Sequence, residues 1–469
     1  LGILARLFRG VINEVADDAV RTMARDQYIE NIFEMVPAAK KVNPIYLAEI
    51  MMRAKQGIPV SRPLGSHIRF SAWEKLMFNP VHLFRFPTPE NFGINTSVQI
   101  GPKARKPLRL TIPIMFAGMS FGGALSKSAK IALARAATLA GTATNTGEAG
   151  LLEEEREAAQ LLIGQYNRGG WLNTPEKYKR LDAIEIQLGQ GAQGSTNQRT
   201  AAKNIGEDYR EVFELTGGQD AVIHSRLEGV HTKEGFINLV RELKNEAGVP
   251  VGLKIAATHY LEKEIEIALE AECDFITVDG AEGGTHGGAP ILEDDVGLPT
   301  MFAVSRAAQF LTKKGANREV SLIATGGLVT PGYMLKAMAL GADAVYIGTA
   351  AVMAMLSDQS TKTLPFEPPT DMVVYTGKRT GLLDIDKAVQ NVFYFLNACV
   401  REMEMVAVTT GKVSLSDIDR NDLVALDPFL SKALNIDLGY VSPENQEMFF
   451  NGFERIGIMN KESVPVVTH

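Results

Sequence analysis

From residue 111 onward, short apolar and β-branched runs alternate with stretches whose apolar positions recur at helical spacing. Eight runs read as strands that end in small or polar residues. They are 112-IPIMFAGMSFGG-123, 142-TATNTGEAG-150, 183-AIEIQLGQGAQG-194, 221-AVIHSR-226, 249-VPVGLKIAA-257, 275-FITVDGAEGG-284, 320-VSLIATGG-327 and 344-AVYIGTA-350. Helical patterns fill the gaps, as in 125-LSKSAKIALARAATLAG-141, 234-EGFINLVRELKNEAG-248 and 333-YMLKAMALG-341. Strand and helix alternating eight times over about 250 residues predict an α/β fold, a (β/α)8 TIM barrel. A doubly wound sheet is the rival; the count of eight and the glycine turns closing the last two runs favour the barrel.

The flanks read differently. Leu4, Leu7, Phe8, Val11, Ile12 and Val15 recur at helix spacing, and Asn43-Pro44 is a cap and first-turn signal before 45-IYLAEIMMRAKQG-57. Residues 58–110 are rich in proline and aromatics without a period. The predicted organisation is a helical and Pro-rich N-terminal extension over 1–110 packing on the barrel, the barrel over 111–360, and a C-terminal helical extension over 361–469. The N-terminal extension is expected to cap the barrel bottom, with a docking surface for a partner chain as the alternative. The apolar run 337–356 approaches membrane-span length but holds Asp343 and two glycines, so it is expected to split into strand, turn and helix.

Composition narrows the partners. A formal charge of −7 argues against nucleic acid, which needs clustered Lys and Arg. Two distant cysteines, Cys273 and Cys399, suit a reducing, cytoplasmic compartment and exclude an iron–sulfur cluster held by three or four thiolates of this chain. The sequence starts at Leu1 and not at Met, which leaves open a preceding segment, a removed N-terminal membrane anchor included.

A barrel gathers the C-terminal ends of its strands on one catalytic face. Those ends carry Ser120, Asn145, Gln190, His224, Lys254, Asp279, Gly326-Gly327 and Gly348-Thr349. The last two glycine turns are phosphate-binding candidates, because their amides can face inward. Lys254 interrupts an apolar strand. A lysine inside a barrel needs a partner, and it serves either as a Schiff-base amine or as a cation held against an anionic ligand. His224 is a candidate for substrate hydrogen bonding or proton transfer. No pair of histidines has ligand spacing on one element, so no metal site is expected.

The motifs 118-GMSFGGALSKSAK-130, 143-ATNTGEAG-150, 184-IEIQLGQGA-192, 282-EGGTHGGAP-290 and 325-TGGLVTPGYMLKAMALGAD-343 together resemble the FMN-binding synthase domain of glutamate synthase, in its stand-alone form. The resemblance runs over roughly residues 110–430, into 385-IDKAVQNVFYFLNACVREMEMVA-407 and 414-SLSDIDRNDLVAL-426. It implies FMN at the barrel mouth, its phosphate on Gly326, Gly327, Gly348 and Thr349. Met119 and Ser120 would pass along the isoalloxazine, Asn145 and Gln190 would hydrogen-bond it, and Lys254 would sit at its N1–C2=O edge. Gly283 and Gly284 would let the backbone approach the ring, while Asp279, Glu282 and His286 would supply polar contacts or proton transfer. Arg199 and Arg226 are the candidate partners of the substrate carboxylates.

The implied reaction is hydride transfer from reduced FMN to 2-iminoglutarate, formed from 2-oxoglutarate and ammonia. More broadly, the substrate is a 2-oxo acid plus ammonia or an amine. This sequence departs from the family pattern in four ways. It lacks the cysteines that follow the eighth strand, an amidotransferase domain and a nicotinamide fingerprint, and it has Gln193 where the family has lysine. A separate electron donor or reductase subunit, and a homo-oligomer or a multi-chain complex, are therefore expected. The alternative functions are an FMN-dependent isomerase like type 2 isopentenyl diphosphate isomerase, and a flavin-binding subunit as in N-methylglutamate synthase.

Overall fold

The computed structural model describes residues 2–27, 41–363 and 369–451, without the side chains of 2–7, 369 and 370. The chain divides into two compact units, 1–61 and 62–469. In the first unit, Gly2–Arg25 and Pro44–Gln56 are helices. The second starts as expected: the Asn43 side chain accepts from the Ile45 amide at 3.0 Å, and Gly57 ends it at φ +64°. The Leu4 and Leu7 side chains lie outside the described residues, as do positions 364–368 and 452–469 of the expected C-terminal extension. No helix among the described residues is long and apolar enough to cross a membrane.

The second unit is built on eight parallel strands. In chain order these are β1 (Ile114–Phe116), β2 (Thr144–Asn145), β3 (Leu162–Tyr166), β4 (Ala183–Gln187), β5 (Val251–Ala256), β6 (Phe275–Asp279), β7 (Ser321–Thr325) and β8 (Ala344–Ile347). Each pairs with the next from β2 to β8, with a long excursion between β4 and β5, and β8 also pairs with β1. The Phe116 amide donates to the Ala143 carbonyl at 3.1 Å, which brings β1 against the start of β2 and closes the TIM barrel.

The count of eight is right, but one member differs. Residues 221–226 do not form a barrel strand: Ala221–Ile223 pairs antiparallel with Gln198–Thr200 in a two-stranded sheet within the β4–β5 excursion. The barrel takes Leu162–Tyr166 instead. That segment escapes a search for apolar runs because Gly164 faces Leu181 and Leu172, while Gln165 is polar and buried. Barrel strands are read through alternate residues, and here one inward position is polar by design of the interior.

Alternation along the strands sorts their side chains. Ile184, Ile186, Leu253, Ile255, Ile276, Val278, Leu322 and Val345 join the large core shared with the helices. Met115, Ala143, Ile163, Ala183, Phe275, Ile323 and Ala344 form a separate core with Ile100, Leu108 and Leu110. Those last three belong to an antiparallel pair, Val98–Ile100 with Leu108–Leu110, which plugs the N-terminal end of the barrel.

The expected extension over 58–110 is therefore not one cap. Its later part packs at the barrel bottom, whereas residues 64–69 and 71 line the opposite mouth. The C-terminal region contributes the helix Ile385–Thr409, and Leu423–Ala425 pairs antiparallel with Leu76–Phe78. Residues 344–347 and 349–355 are strand and helix, as the split of the long apolar run predicts.

Candidate active site

Above the apolar barrel core the interior turns polar. Glu185 on β4 is fully buried and accepts from Asn145 Nδ2 at 3.1 Å, Gln165 Nε2 at 2.8 Å and Thr277 Oγ1 at 2.7 Å. Two strands supply amides and a third a hydroxyl, so the carboxylate is satisfied without water. Burial, with the Glu185 charge next in effect, raises the pKa of the neighbouring Tyr346 phenol far above its usual value, so it stays protonated.

Lys254 stands one level higher, beside Thr277 on β6 and Gln187 on β4. Its Nζ lies 3.2 Å from Asp279 Oδ2, with the side chains only 3% and 7% exposed. Burial pulls the Lys254 pKa down, but the charges of Asp279 and Glu185 outweigh it and hold it raised. The ammonium is therefore kept charged inside the barrel. Asp279 Oδ1, the other carboxylate oxygen, is buried with no partner.

This pair forms the floor of an open cavity of about 670 Å³, within the range of small-molecule and cofactor sites. Met119, Ser120, Gln190, Gly284, His286, Gly326, Gly327, Gly348 and Thr349 all line it with Lys254, Asp279 and Glu282. Gly326 and Gly327 have φ of +112° and +68°. A Cβ on Gly326 would fall 2.6 Å from Thr300 Oγ1 and one on Gly327 2.7 Å from Glu282 Cβ, so positive φ and close packing on the protein side both require glycine in this turn.

Glu282 has a second task. Its Oε2 accepts from the Thr300 amide and hydroxyl, both at 2.8 Å, and so caps the helix Thr300–Lys313. His286 lines the cavity with its side chain exposed to that open space, and the surrounding protein, by desolvation, lowers its pKa and favours the neutral ring.

Other expected residues fall elsewhere. His224 and Arg226 are exposed and do not line the cavity, because the segment that carries them is not a barrel strand. Arg199 is 71% exposed and paired with Asp220 at the edge of the small sheet. Asn145 sits beneath the cavity in the Glu185 network, its Oδ1 accepting from the Gly147 amide at 2.9 Å. Gly283 lies behind the cavity wall: a Cβ there would meet Asp279 Oδ1 at 2.5 Å.

Sequence reasoning missed several wall residues. Glu148 lines the cavity and is held by the buried Arg168, with Nε–Oε1 and Nη2–Oε2 both 3.2 Å. The 143-ATNTGEAG-150 motif contains Glu148, and its position directly after Gly147 at a strand end was the available signal. Gln193, already singled out in the sequence, is buried and does not line the cavity; it accepts from Gln190 Nε2 at 3.0 Å and donates to Thr285 Oγ1 at 2.6 Å. The strap 62–71 was not foreseeable from any period. It is pinned across the mouth by Arg62, whose amide and carbonyl pair with Gly288 at 2.8 and 3.0 Å. The Arg62 guanidinium also reaches Glu293 Oε2 at 2.7 Å and Asp294 Oδ1 at 2.6 Å.

Residues 79–412 match the conserved region in glutamate synthase. A glutamate synthase large subunit-like protein from Rhizobium meliloti is 32% identical over 403 residues, 81% of this chain and 90% of that one. The chain belongs to the glutamate synthase family. Archaeal-type glutamate synthase [NADPH] from Thermotoga maritima is 35% identical over 268 residues, 57% of this chain and 52% of that protein, so the match spans about half of that relative. Among solved structures, lactate oxidase of Pediococcus acidilactici is similar at a TM-score of 0.49 and 15% identity, covering 76% of this chain and 85% of that one.

As a member of this family the chain is an oxidoreductase, and its cofactor is FMN. The site fits that group. It offers a cavity of the right size, a buried cation on its floor, and glycine-containing turns on the rim after β7 and β8.

Proposed function

We propose that this glutamate synthase family chain reduces an imino or keto acid, with 2-iminoglutarate going to L-glutamate where the family substrate is kept. The observation that carries the reading is the buried Lys254–Asp279 pair on the floor of a cavity rimmed by strand-end glycines. When bound, FMN supplies two-electron redox chemistry.

The chain's own residues do the rest. The amides at Gly326, Gly327, Gly348 and Thr349 bind the phosphate. Met119, Ser120, Gln190 and Gly284 position the ring system. Lys254 presents a fixed positive charge in a low-dielectric floor, where it stabilises negative charge far better than in water. Asp279 Oδ1, which lacks a partner, accepts an N–H from the substrate nitrogen. Neutral His286 holds or moves a proton at a ring nitrogen on the cavity wall. Trp171 and Tyr209 line the cavity and keep water from its apolar side. Electrons reach the site from a separate donor.

The test is anaerobic reoxidation. The photoreduced protein is mixed with 2-oxoglutarate alone, with ammonia alone and with both. Reoxidation only by the mixture supports glutamate formation. Reoxidation by a different oxo acid and amine keeps the reaction class and changes the substrate. No reoxidation by any oxo acid and amine pair refutes the proposal.

A further inference from the structure

We propose that Arg69, on the strap across the barrel mouth, is the cationic partner of the cofactor phosphate and completes the site begun by the turns after β7 and β8. This rests on FMN as the occupant of the mouth and adds a residue from outside the barrel to its recognition.

The first argument is charge. A phosphate monoester approaches two negative charges at neutral pH, and backbone amides offer only partial ones. Among the described residues lining the cavity, the only lysine or arginine side chains are Lys254 and Arg69. Lys254 is engaged by Asp279 on the floor, two strands away from β7. Each lining carboxylate has one engaged side, Glu148 by Arg168, Asp279 by Lys254, and Glu282 as a helix cap, while Asp279 Oδ1 and Glu282 Oε1 have no partner. That leaves Arg69 as the unengaged positive charge on the wall.

The second argument is position. At one end of the strap, a Cβ on Gly284 would lie 3.4 Å from the Leu64 carbonyl and 3.3 Å from Thr349 Oγ1, so the strap passes the turn after β8. At the other end, Trp73 stacks on Tyr333, with ring centroids 6.0 Å apart and planes 27° apart, and the Trp73 carbonyl accepts from Lys336 Nζ at 2.8 Å. Tyr333 and Lys336 belong to the helix Pro331–Ala339, which follows the Gly326-Gly327 turn. Arg69 therefore lies on the run that joins the two glycine turns.

The third argument is preorganisation. The strap is fixed by Arg62 on Glu293 and Asp294, by Ser66 Oγ on Asp294 at 2.6 Å, and by the Ser71 hydroxyl, which accepts from the Met301 amide at 3.2 Å. An arginine on a fixed backbone can offer its planar fork to two phosphate oxygens at once.

The experiment compares FMN with riboflavin, which lacks the phosphate. The full chain is stripped of flavin and titrated with each by fluorescence quenching, as wild type, Arg69→Ala and Arg69→Lys. Arg69→Ala is expected to weaken FMN about tenfold to a hundredfold, the range for losing a hydrogen bond to a charged group, and to leave riboflavin unchanged. Arg69→Lys should retain part of the preference. Unchanged riboflavin binding doubles as the control for folding. An unaltered FMN-to-riboflavin ratio in Arg69→Ala overturns the proposal. So does an effect confined to the KM of the oxo acid, which would make Arg69 a substrate residue. A wild-type chain that takes up riboflavin and FMN equally overturns the phosphate site alone, whereas one that takes up neither overturns the FMN reading itself.

Discussion

Lys254 Nζ lies 3.2 Å from Asp279 Oδ2 at the top of the barrel interior, on adjacent parallel strands. Each charge is buried only because the other is. Asp279→Asn is expected to destabilise the fold by about 3–5 kcal/mol, the cost of leaving one partner of a buried pair. Lys254→Met with Asp279→Asn should recover most of that loss. Urea denaturation of Asp279→Asn, Lys254→Met and the double variant checks it, and additive losses in the double variant would contradict a shared pair.

The proposed role of Lys254 also predicts a redox effect. Removing the cation in Lys254→Met should lower the flavin midpoint potential by about 30–60 mV. This follows from ~1.5–3 kcal/mol for an interaction with a charged group and 30 mV per ~1.4 kcal/mol for a two-electron couple. A potentiometric titration of the holoprotein reads it.

How much of this was legible beforehand differs by layer. The outward residues of the strands form apolar runs because helices cover them, and these runs reveal seven of the eight strands. The inward residues follow no such rule: Gln165 and Glu185 serve a buried polar network, so β3 has no apolar signature. The run 221-AVIHSR-226 has that signature for another reason, with Ala221 packed on Tyr209 and Phe213 beside the mouth. Its false assignment carried His224 and Arg226 into the expected site. Lys254 and the glycine turns were legible, because a charge in an apolar strand and paired glycines at strand ends have few structural uses. The strap was not, since contacts such as Arg62 with Glu293 join residues far apart in sequence.

Asp343 gives a pH test. Burial raises its pKa from 3.8 to about 6, despite a hydrogen bond from the Leu322 amide that acts the other way. Between those values the folded state binds more protons than the unfolded chain, so stability falls as pH rises from about 4 to about 6. Asp343→Asn should flatten that slope and leave the protein equally or more stable at pH 7, since the amide oxygen can still accept from Leu322. Thermal melts across that window decide the matter; a steeper slope in the variant would contradict the assignment.

Arg62 gives another. Burial raises the Glu293 pKa, and the Arg62 hydrogen bond and charge partly offset this. Arg62→Ala should cost about 3–5 kcal/mol near neutral pH. The loss should shrink as pH falls, because a carboxyl raised in the fold is stabilised there once protonated. Denaturation at pH 7 and pH 5 compares the two, and a loss independent of pH would show that Glu293 is not the group left behind.

The absorbance spectrum of the purified chain, with identification of the flavin released on denaturation, tests the central claim most directly. The account predicts flavin absorbance from one FMN per chain, present as purified or restored by reconstitution with FMN. A protein that is colourless and fails to take up FMN would contradict it.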